Sequence, residues 1–262
     1  MSALFTGSLT VLIIIGAANG IIGGLIGICG IAGFLLPMLY TGALGFPVDQ
    51  ALAFSFLAFF VSGILGSMNY HKAGNLDIPL SIKLGAGSLI GAVAGVLLQA
   101  MISKETAKTI LYFVVLFSGL SILYRMWSDK KKSGEDKAEK ESKLTGQLWF
   151  LLILGIVTGA ICSLSGAGGP VLVMPLLITV GVSARTAVGV ALFDSVFIAI
   201  PACIGYLSRI DWKNSLLILV IIAVTHGAGV LIGSHYADKV PVKGLKIFVA
   251  VFSVFIAAYM LI

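Results

Sequence analysis

Long apolar runs separated by short polar turns follow one another along almost the whole chain. Their length and periodicity predict an all-α protein with five helical segments in each half. Crossing a bilayer takes about 20 apolar residues, so the long segments are predicted to span a membrane and the two shortest are not. The predicted segments are approximately 4–26, 31–43, 49–70, 78–101 and 106–127, then 147–164, 169–180, 184–207, 213–235 and 243–261.

One sustained polar stretch, residues 128–146, interrupts this pattern near the middle of the chain. It carries charges of both signs without an apolar face, which is typical of a solvated loop. We therefore expect a first membrane repeat over 1–127, a polar linker loop over 128–146 and a second membrane repeat over 147–262. The first apolar run has no Lys or Arg ahead of it, which argues against a cleaved signal peptide.

The two halves resemble each other weakly but at several separate places. Gly24–Pro47 reads GLIGICGIAGFLLPMLYTGALGFP, and Gly159–Ser183 reads GAICSLSGAGGPVLVMPLLITVGVS. Each is a glycine-rich break followed by a proline and a short apolar piece, and farther on Tyr70 matches Tyr206. The sequence therefore predicts two homologous halves, each with a broken or hairpin helix and three spanning helices.

The relative orientation of the halves depends on how the chain leaves each break. If the break turns the chain back, each half has an odd number of segments and the repeats are inverted; otherwise they are parallel. With the 128–146 loop on the cytoplasmic side, inversion places more of the 17 basic residues inside, as the positive-inside rule favours. We therefore expect inverted repeats, with both termini opposite the loop.

Composition supports a polytopic membrane protein without soluble domains, since 59% of residues are hydrophobic, 11% are charged and the mean hydropathy is +1.10. Although the net charge is +6, seven of the 17 basic residues lie between Arg125 and Lys143 beside a predicted spanning segment, which indicates contact with anionic lipid head groups rather than nucleic acid. The three cysteines, Cys29, Cys162 and Cys203, fit neither a disulfide framework nor a zinc site. No cofactor or metal is expected, and a homodimer is left open.

The chain resembles the TauE/SafE family of sulfite exporters and sulfonate permeases. The resemblance covers essentially the whole chain and rests on the breaks GICGIAGFLLP (27–37) and SLSGAGGPVLVMP (163–175), the central polar loop and YLSRIDW (206–212). It implies transport of small anions such as sulfite, sulfonates and organic acids, in a bacterial inner membrane. Ile31 and Ala32 depart from the family pattern, which often has glycines at the first break.

The breaks themselves predict an anion site. A helix interrupted at membrane depth leaves backbone groups that only protein or a water-filled cavity can satisfy. A helix that restarts there points its N–H groups into that cavity, and glycine allows an anion to come close. Ala is a better helix former than Gly, so Gly168→Ala is expected to fold normally yet lose binding. The predicted substrate-binding residues are Cys29, Gly30, Gly33, Ser163, Ser165, Gly166, Gly168 and Gly169.

Two ionisable residues fall in the middle of predicted spans, Asp194 and His226. Such residues are rare inside membranes and are functional candidates by default. Both can carry protons, so they are predicted to couple transport to a proton gradient; a structural role in the bundle interior is the alternative. Neither has an ionisable counterpart in the first half.

Interfacial polar residues form a second rank of candidates for gating or anion attraction: Asn69, Tyr70, Arg185 and Tyr206. No phosphate-binding Walker motif occurs, so the favoured function is secondary transport without an ATP engine. A channel or anion sensor remains an alternative. An intramembrane serine hydrolase using Ser165 and His226 is a third, although it leaves the repeat unexplained.

Overall fold

The computed structural model describes residues 9–103 and 147–237, with single positions between 105 and 124, Lys239, Val251, Val254 and Phe255. Helix α1 (Leu9–Cys29) is followed by a short irregular helix, α2, made of a 3-10 turn (Ile31–Phe34), an α turn (Leu35–Met38) and a π turn (Leu39–Ala43). The other helices are α3 (Val48–Lys72), α4 (Ile78–Met101), α5 (Leu148–Ser165), α6 (Gly169–Thr179), α7 (Ala184–Leu207) and α8 (Trp212–Tyr236).

These helices agree closely with the segments predicted from the apolar runs. The largest difference among the described boundaries is the end of the first helix, which is predicted at residue 26 and lies at Cys29. The segments 106–127 and 243–261 lie mostly outside the described residues, and the 128–146 loop does so entirely. The division of the chain into two repeats and a linker therefore stays a prediction.

Several helices begin where the sequence supplies a capping side chain. The carboxylate of Asp77 accepts a hydrogen bond from the Leu80 amide at 3.0 Å, and the hydroxyl of Ser183 accepts one from the Thr186 amide at 3.2 Å. Asp211 caps α8 in the same way. Such caps satisfy amides that have no partner within their own helix.

Six described helices, α1, α3, α4, α5, α7 and α8, are long and apolar enough to cross a membrane. Helices α2 and α6 are shorter and lie inside the bundle, where most of their described side chains are buried. Large apolar side chains such as Ile90, Leu97 and Ile153 are exposed on the outer faces of the long helices. The protein is thus an all-helical, polytopic membrane bundle.

Glycine seams join α1 to α8 and α4 to α5, which make the two most extensive contacts among the described helices. A methyl group on Gly91 of α4 would strike the backbone of α5 at Ile156, and one on Gly229 of α8 would strike α1 at Gly20. Small residues allow such close approach of membrane helices. Gly16 and Gly63 also pack against other helices, at Ile221 and Val196 respectively.

The contacts also give the relative directions of the helices. Along α1 and α8 residue numbers rise together, since Gly16 faces Ile221 and Gly27 faces Val230, so these helices run parallel. Along α3 and α7 they run in opposite senses. Gly63 faces Val196 and Gly66 faces Leu192, whereas Gly189 near the start of α7 faces Tyr70 near the end of α3. Helices α3 and α7 form the centre of the bundle.

Candidate functional site

The second break lies between α5 and α6 and depends on two glycines with left-handed backbone. Gly166 ends α5 with φ 74°, and Gly168 precedes α6 with φ 77° and ψ 150°. Residues with a Cβ rarely adopt these angles. Gly168 lies outside the helix, so the argument from the helix propensity of Ala does not hold there, and Gly168→Ala is expected to strain the backbone.

The first break has a different backbone. Gly30 has φ 73° and its amide donates to the Ile26 carbonyl at 2.8 Å, which closes the last turn of α1. The chain continues directly into the 3-10 turn of α2, and Gly33 lies within that turn. Ile31 and Ala32 thus begin an irregular short helix, whereas the second break leads into a regular one.

The two breaks touch each other in the buried centre of the bundle. A methyl group on Gly30 would lie 3.2 Å from Cβ of Pro170, and one on Gly33 would lie 3.2 Å from the carbonyl oxygen of Ala167. A methyl group on Gly166 would lie 3.4 Å from Cβ of Pro37. The glycines singled out in the two halves therefore come together at one place.

The ring of Phe59, a fully buried residue of α3, lies against both breaks. A methyl group on Gly33 would lie 3.0 Å from its Cε1 atom, and one on Gly168 would lie 3.1 Å from its Cζ atom. Nothing in the pattern of residues singles out Phe59, because its position follows only from the packing of α3. In this conformation the ring occupies the space next to the glycines.

The candidate thiol and hydroxyl groups beside the breaks are turned towards their own helices. Cys29 Sγ donates to the Leu25 carbonyl at 3.1 Å, Ser163 Oγ to Ala160 at 3.2 Å and Ser165 Oγ to Ile161 at 2.7 Å. Such bonds are common for Ser inside helices. Each serine would have to break its bond to the backbone before its proton reached an anion.

The first backbone amides of helix α6 are hydrogen-bond donors at the second break. Its first residues are Gly169, Pro170 and Val171, and no side chain caps its N-terminus. The first amides of a helix have no partner within it, and Pro170 has no N–H, so Gly169 and Val171 supply the donors there. Gly169 also packs closely on α7, since a methyl group on it would lie 2.8 Å from Ser195 Oγ.

Asp194 is fully buried on α7, and neither of its carboxyl oxygens has a hydrogen-bond partner among the described residues. The hydroxyl of Ser88 on α4 faces this carboxyl without forming a bond of normal geometry. A buried polar group without partners is costly and requires an explanation.

His226 lies in a different contact, where α8 meets α1. Its Nδ1 atom is 3.2 Å from the carbonyl oxygen of Asn19, while its Nε2 atom has no partner among the described residues. The Asn19 side chain exchanges hydrogen bonds with the hydroxyl of Tyr40 in α2. His226 and Asp194 therefore do not form a pair, and Ser165 does not contact His226, so the geometry of a hydrolase dyad is absent between them.

The two tyrosines matched by the repeat make equivalent contacts. The Tyr70 hydroxyl donates to the carbonyl of Gly27 at 3.2 Å, and the Tyr206 hydroxyl donates to that of Ser163 at 2.7 Å. Each thus holds the last turn of the helix before a break. Asn69 donates to Ser234 Oγ at 2.7 Å and joins α3 to α8, and Arg185 is exposed in the first turn of α7.

Sequence reasoning missed a polar pocket of about 220 Å³ at the end of the bundle where α4 and α7 finish. Arg209 lies in it with one guanidinium nitrogen 3.7 Å from an Asp49 carboxylate oxygen. The repeat contained a signal for this residue, because Arg209 matches the neutral Asn75 in the other half. The pocket is lined by Asp49, Gln99, Ala100, Ile102 and Arg209.

The profile of the sulfite exporter TauE/SafE family matches residues 12–260. The chain belongs to this family. The breaks that first suggested the resemblance are the glycines that meet at the centre of the bundle. Together with the six long apolar helices, this makes the chain an integral, multi-pass membrane protein of a transporter family.

Curated relatives of the chain are described as probable membrane transporter proteins. The probable membrane transporter protein YdhB of Bacillus subtilis is 25% identical over 228 residues, covering 87% of this chain and 89% of the relative. A probable membrane transporter protein of Methanocaldococcus jannaschii is 27% identical over 206 residues, covering 76% of this chain and 73% of the relative. No solved structure matches the chain.

Proposed function

We propose that the protein is a secondary transporter of small sulfur-containing or organic anions, which binds them where the two glycine breaks meet. The contact between Gly33 and Ala167 carries this proposal, since it brings both interrupted helices to one buried place. Interrupted helices that face each other near the midplane are a common plan of secondary transporters. The amides of Gly169 and Val171 are suitable donors to sulfite, sulfonate or carboxylate.

Binding through backbone dipoles suits transport because the site must also release its substrate. No Lys or Arg occurs among the buried side chains of the described residues, so a fixed buried cation does not hold the anion there. Phe59 closes the site in the present conformation. We infer that the ring moves away from Gly33 and Gly168 when an anion binds.

The proposal includes inverted repeats and alternating access. Exchanging the halves converts the contact of α1 with α8 into that of α5 with α4, and both pairs run parallel. The matched helices α3 and α7 run antiparallel, which supports inversion because parallel repeats would point them the same way. It also includes proton coupling through Asp194 and His226, supported by their complete burial and by the unpartnered atoms that each retains.

Counterflow in proteoliposomes tests this function. Vesicles loaded with an unlabelled anion are expected to accumulate the same labelled anion transiently and saturably, with sulfite, thiosulfate, taurine, sulfoacetate and short carboxylates compared in turn. A sensor or an enzyme gives no counterflow, and a channel gives none that saturates as carrier exchange does. Thermal stabilisation of the purified protein by the same anions provides an independent measure of binding.

A further inference from the structure

Arg209 is a cation whose immediate partners are mainly neutral. Two of its guanidinium nitrogens donate to the Gln99 side-chain oxygen and to the Val96 carbonyl, the latter at 3.2 Å. The carboxylate of Asp49, at 3.7 Å, lies beyond the distance of a charge-assisted hydrogen bond. A guanidinium has five N–H groups. Two of them donate to acceptors among the described residues, which leaves three for another acceptor.

The pair of Arg209 with Asp49 is also weak enough to be displaced. Both side chains are about a quarter exposed, at 27% and 28%, and exposed ion pairs of this kind contribute little to stability. An oxyanion that forms two parallel bonds with the guanidinium has better geometry than the present contact. The pocket of about 220 Å³ has far more room than a single water needs.

Gln99 adds donors to the same pocket. It is buried, and its side-chain oxygen accepts from Arg209, which orients its NH₂ group as a donor on the other side of the amide. The guanidinium in turn rests on the face of Tyr206, at 5.2 Å from the ring centroid, and this contact limits its movement. A cation and an amide are therefore held in place beside an open volume.

A stack of aromatic rings connects this pocket to the glycine breaks. Tyr206 stacks on Phe56 with centroids 5.6 Å apart and an interplanar angle of 12°, and Phe56 meets the edge of Phe59 at 5.6 Å. Phe59 lies on Gly33 and Gly168. In the second half the residues that match Phe56 and Phe59 are Leu192 and Ser195, which are not aromatic. The repeat therefore does not reproduce this stack at the other end of the bundle.

We propose that the pocket around Arg209 and Gln99 is a second binding site for small oxyanions, which they occupy before or after the site at the breaks. Asp49 is its built-in competitor: the arriving anion displaces the carboxylate from Arg209. The inference rests on the proposed transport function. It assigns the site to sulfite, sulfonates and carboxylates as a class, since all offer two oxygens to a guanidinium.

Counterflow kinetics of Asp49→Asn, Arg209→Gln and Arg209→Lys test the pocket. We expect the KM for sulfite and for acetate to fall at least threefold in Asp49→Asn, because the competitor is gone. Arg209→Gln should raise KM at least tenfold, with Arg209→Lys between it and the wild type. Lys213→Gln, which removes an exposed cation at the same end of the bundle, is the matched control and should leave KM unchanged.

The directions of these KM changes distinguish a binding site from a contact that only stabilises the fold. If the pair only fastens α3 to the end of α7, Asp49→Asn and Arg209→Gln break the same link and shift KM in one direction, which overturns the proposal. Unchanged KM values overturn it as well. If Arg209→Gln does not fold, Asp49→Asn decides alone. Absence of counterflow in the wild type would instead overturn the transport function on which the pocket depends.

Discussion

Gly33 and Ala167 meet across the centre of the bundle, so that a methyl group on Gly33 would lie 3.2 Å from the Ala167 carbonyl oxygen. One residue belongs to the break in the first half and the other to the break in the second. Because there is no room for a methyl group between them, a movement of one break is expected to displace the other. This contact therefore supports a single anion site formed by both breaks, whose two halves move together.

Gly168→Ala is expected to lower both stability and transport. Its backbone angles cost a residue with a Cβ on the order of 1–3 kcal/mol, and the added methyl would press on the Phe59 ring at 3.1 Å. Thermal unfolding in detergent and anion counterflow provide the measurements. Gly45→Ala is the matched control, because Gly45 has a similar φ of 65° with nothing within 4 Å of the added methyl; a loss of transport equal to that of Gly168→Ala would contradict the role of the break.

Phe59→Leu is expected to raise the maximal rate of anion exchange at least twofold. The aromatic ring must leave Gly33 and Gly168 before an anion approaches them, and a smaller side chain covers them less. Initial exchange rates at saturating sulfite measure the effect. Phe54→Leu alters an equally buried ring of α3 that contacts Tyr40 and Phe46 instead of the breaks, and should not accelerate exchange. Equal behaviour of the two variants would show that Phe59 only fills space.

Lys72→Cys and Ser208→Cys are expected to react with an impermeant thiol reagent from opposite faces of the membrane. Both positions are exposed, and they correspond in the repeat, at the ends of the antiparallel helices α3 and α7. The measurement needs a background in which Cys29, Cys162 and Cys203 are replaced. Labelling of both from one face would indicate parallel repeats and refute the inverted arrangement.

The sequence predicted the helices well because their boundaries are set locally. Apolar runs of membrane-spanning length, capping residues such as Asp77 and Ser183, and glycines with left-handed backbone all act within a few residues of where they stand. The internal repeat then identified both breaks, since equivalent glycines recur in each half. These features needed no knowledge of packing.

The surroundings of the candidate site could not be predicted in the same way. That Phe59 covers the breaks, and that Arg209 reaches Gln99 and Asp49, follows from which helix faces meet after folding. The hydroxyls of Ser163 and Ser165 could donate either to an anion or to their own helix, and only the folded structure shows that they donate to the helix. Hydrogen-bond partners are chosen by tertiary geometry, whereas a sequence displays only the residue types available.

Asp194→Asn is expected to abolish the pH dependence of net anion uptake while preserving exchange between identical anions. Net transport coupled to a proton requires a group that binds and releases it, whereas exchange can proceed without releasing it. Asp194 suits this role because no described residue neutralises or hydrogen-bonds its buried carboxyl. Uptake and counterflow measured between pH 5 and pH 8 separate the two activities. Ser88→Ala alters the neighbouring hydroxyl without removing a titratable group, so its pH profile should match that of the wild type; unchanged profiles in both Asp194→Asn and His226→Ala would make these two residues structural.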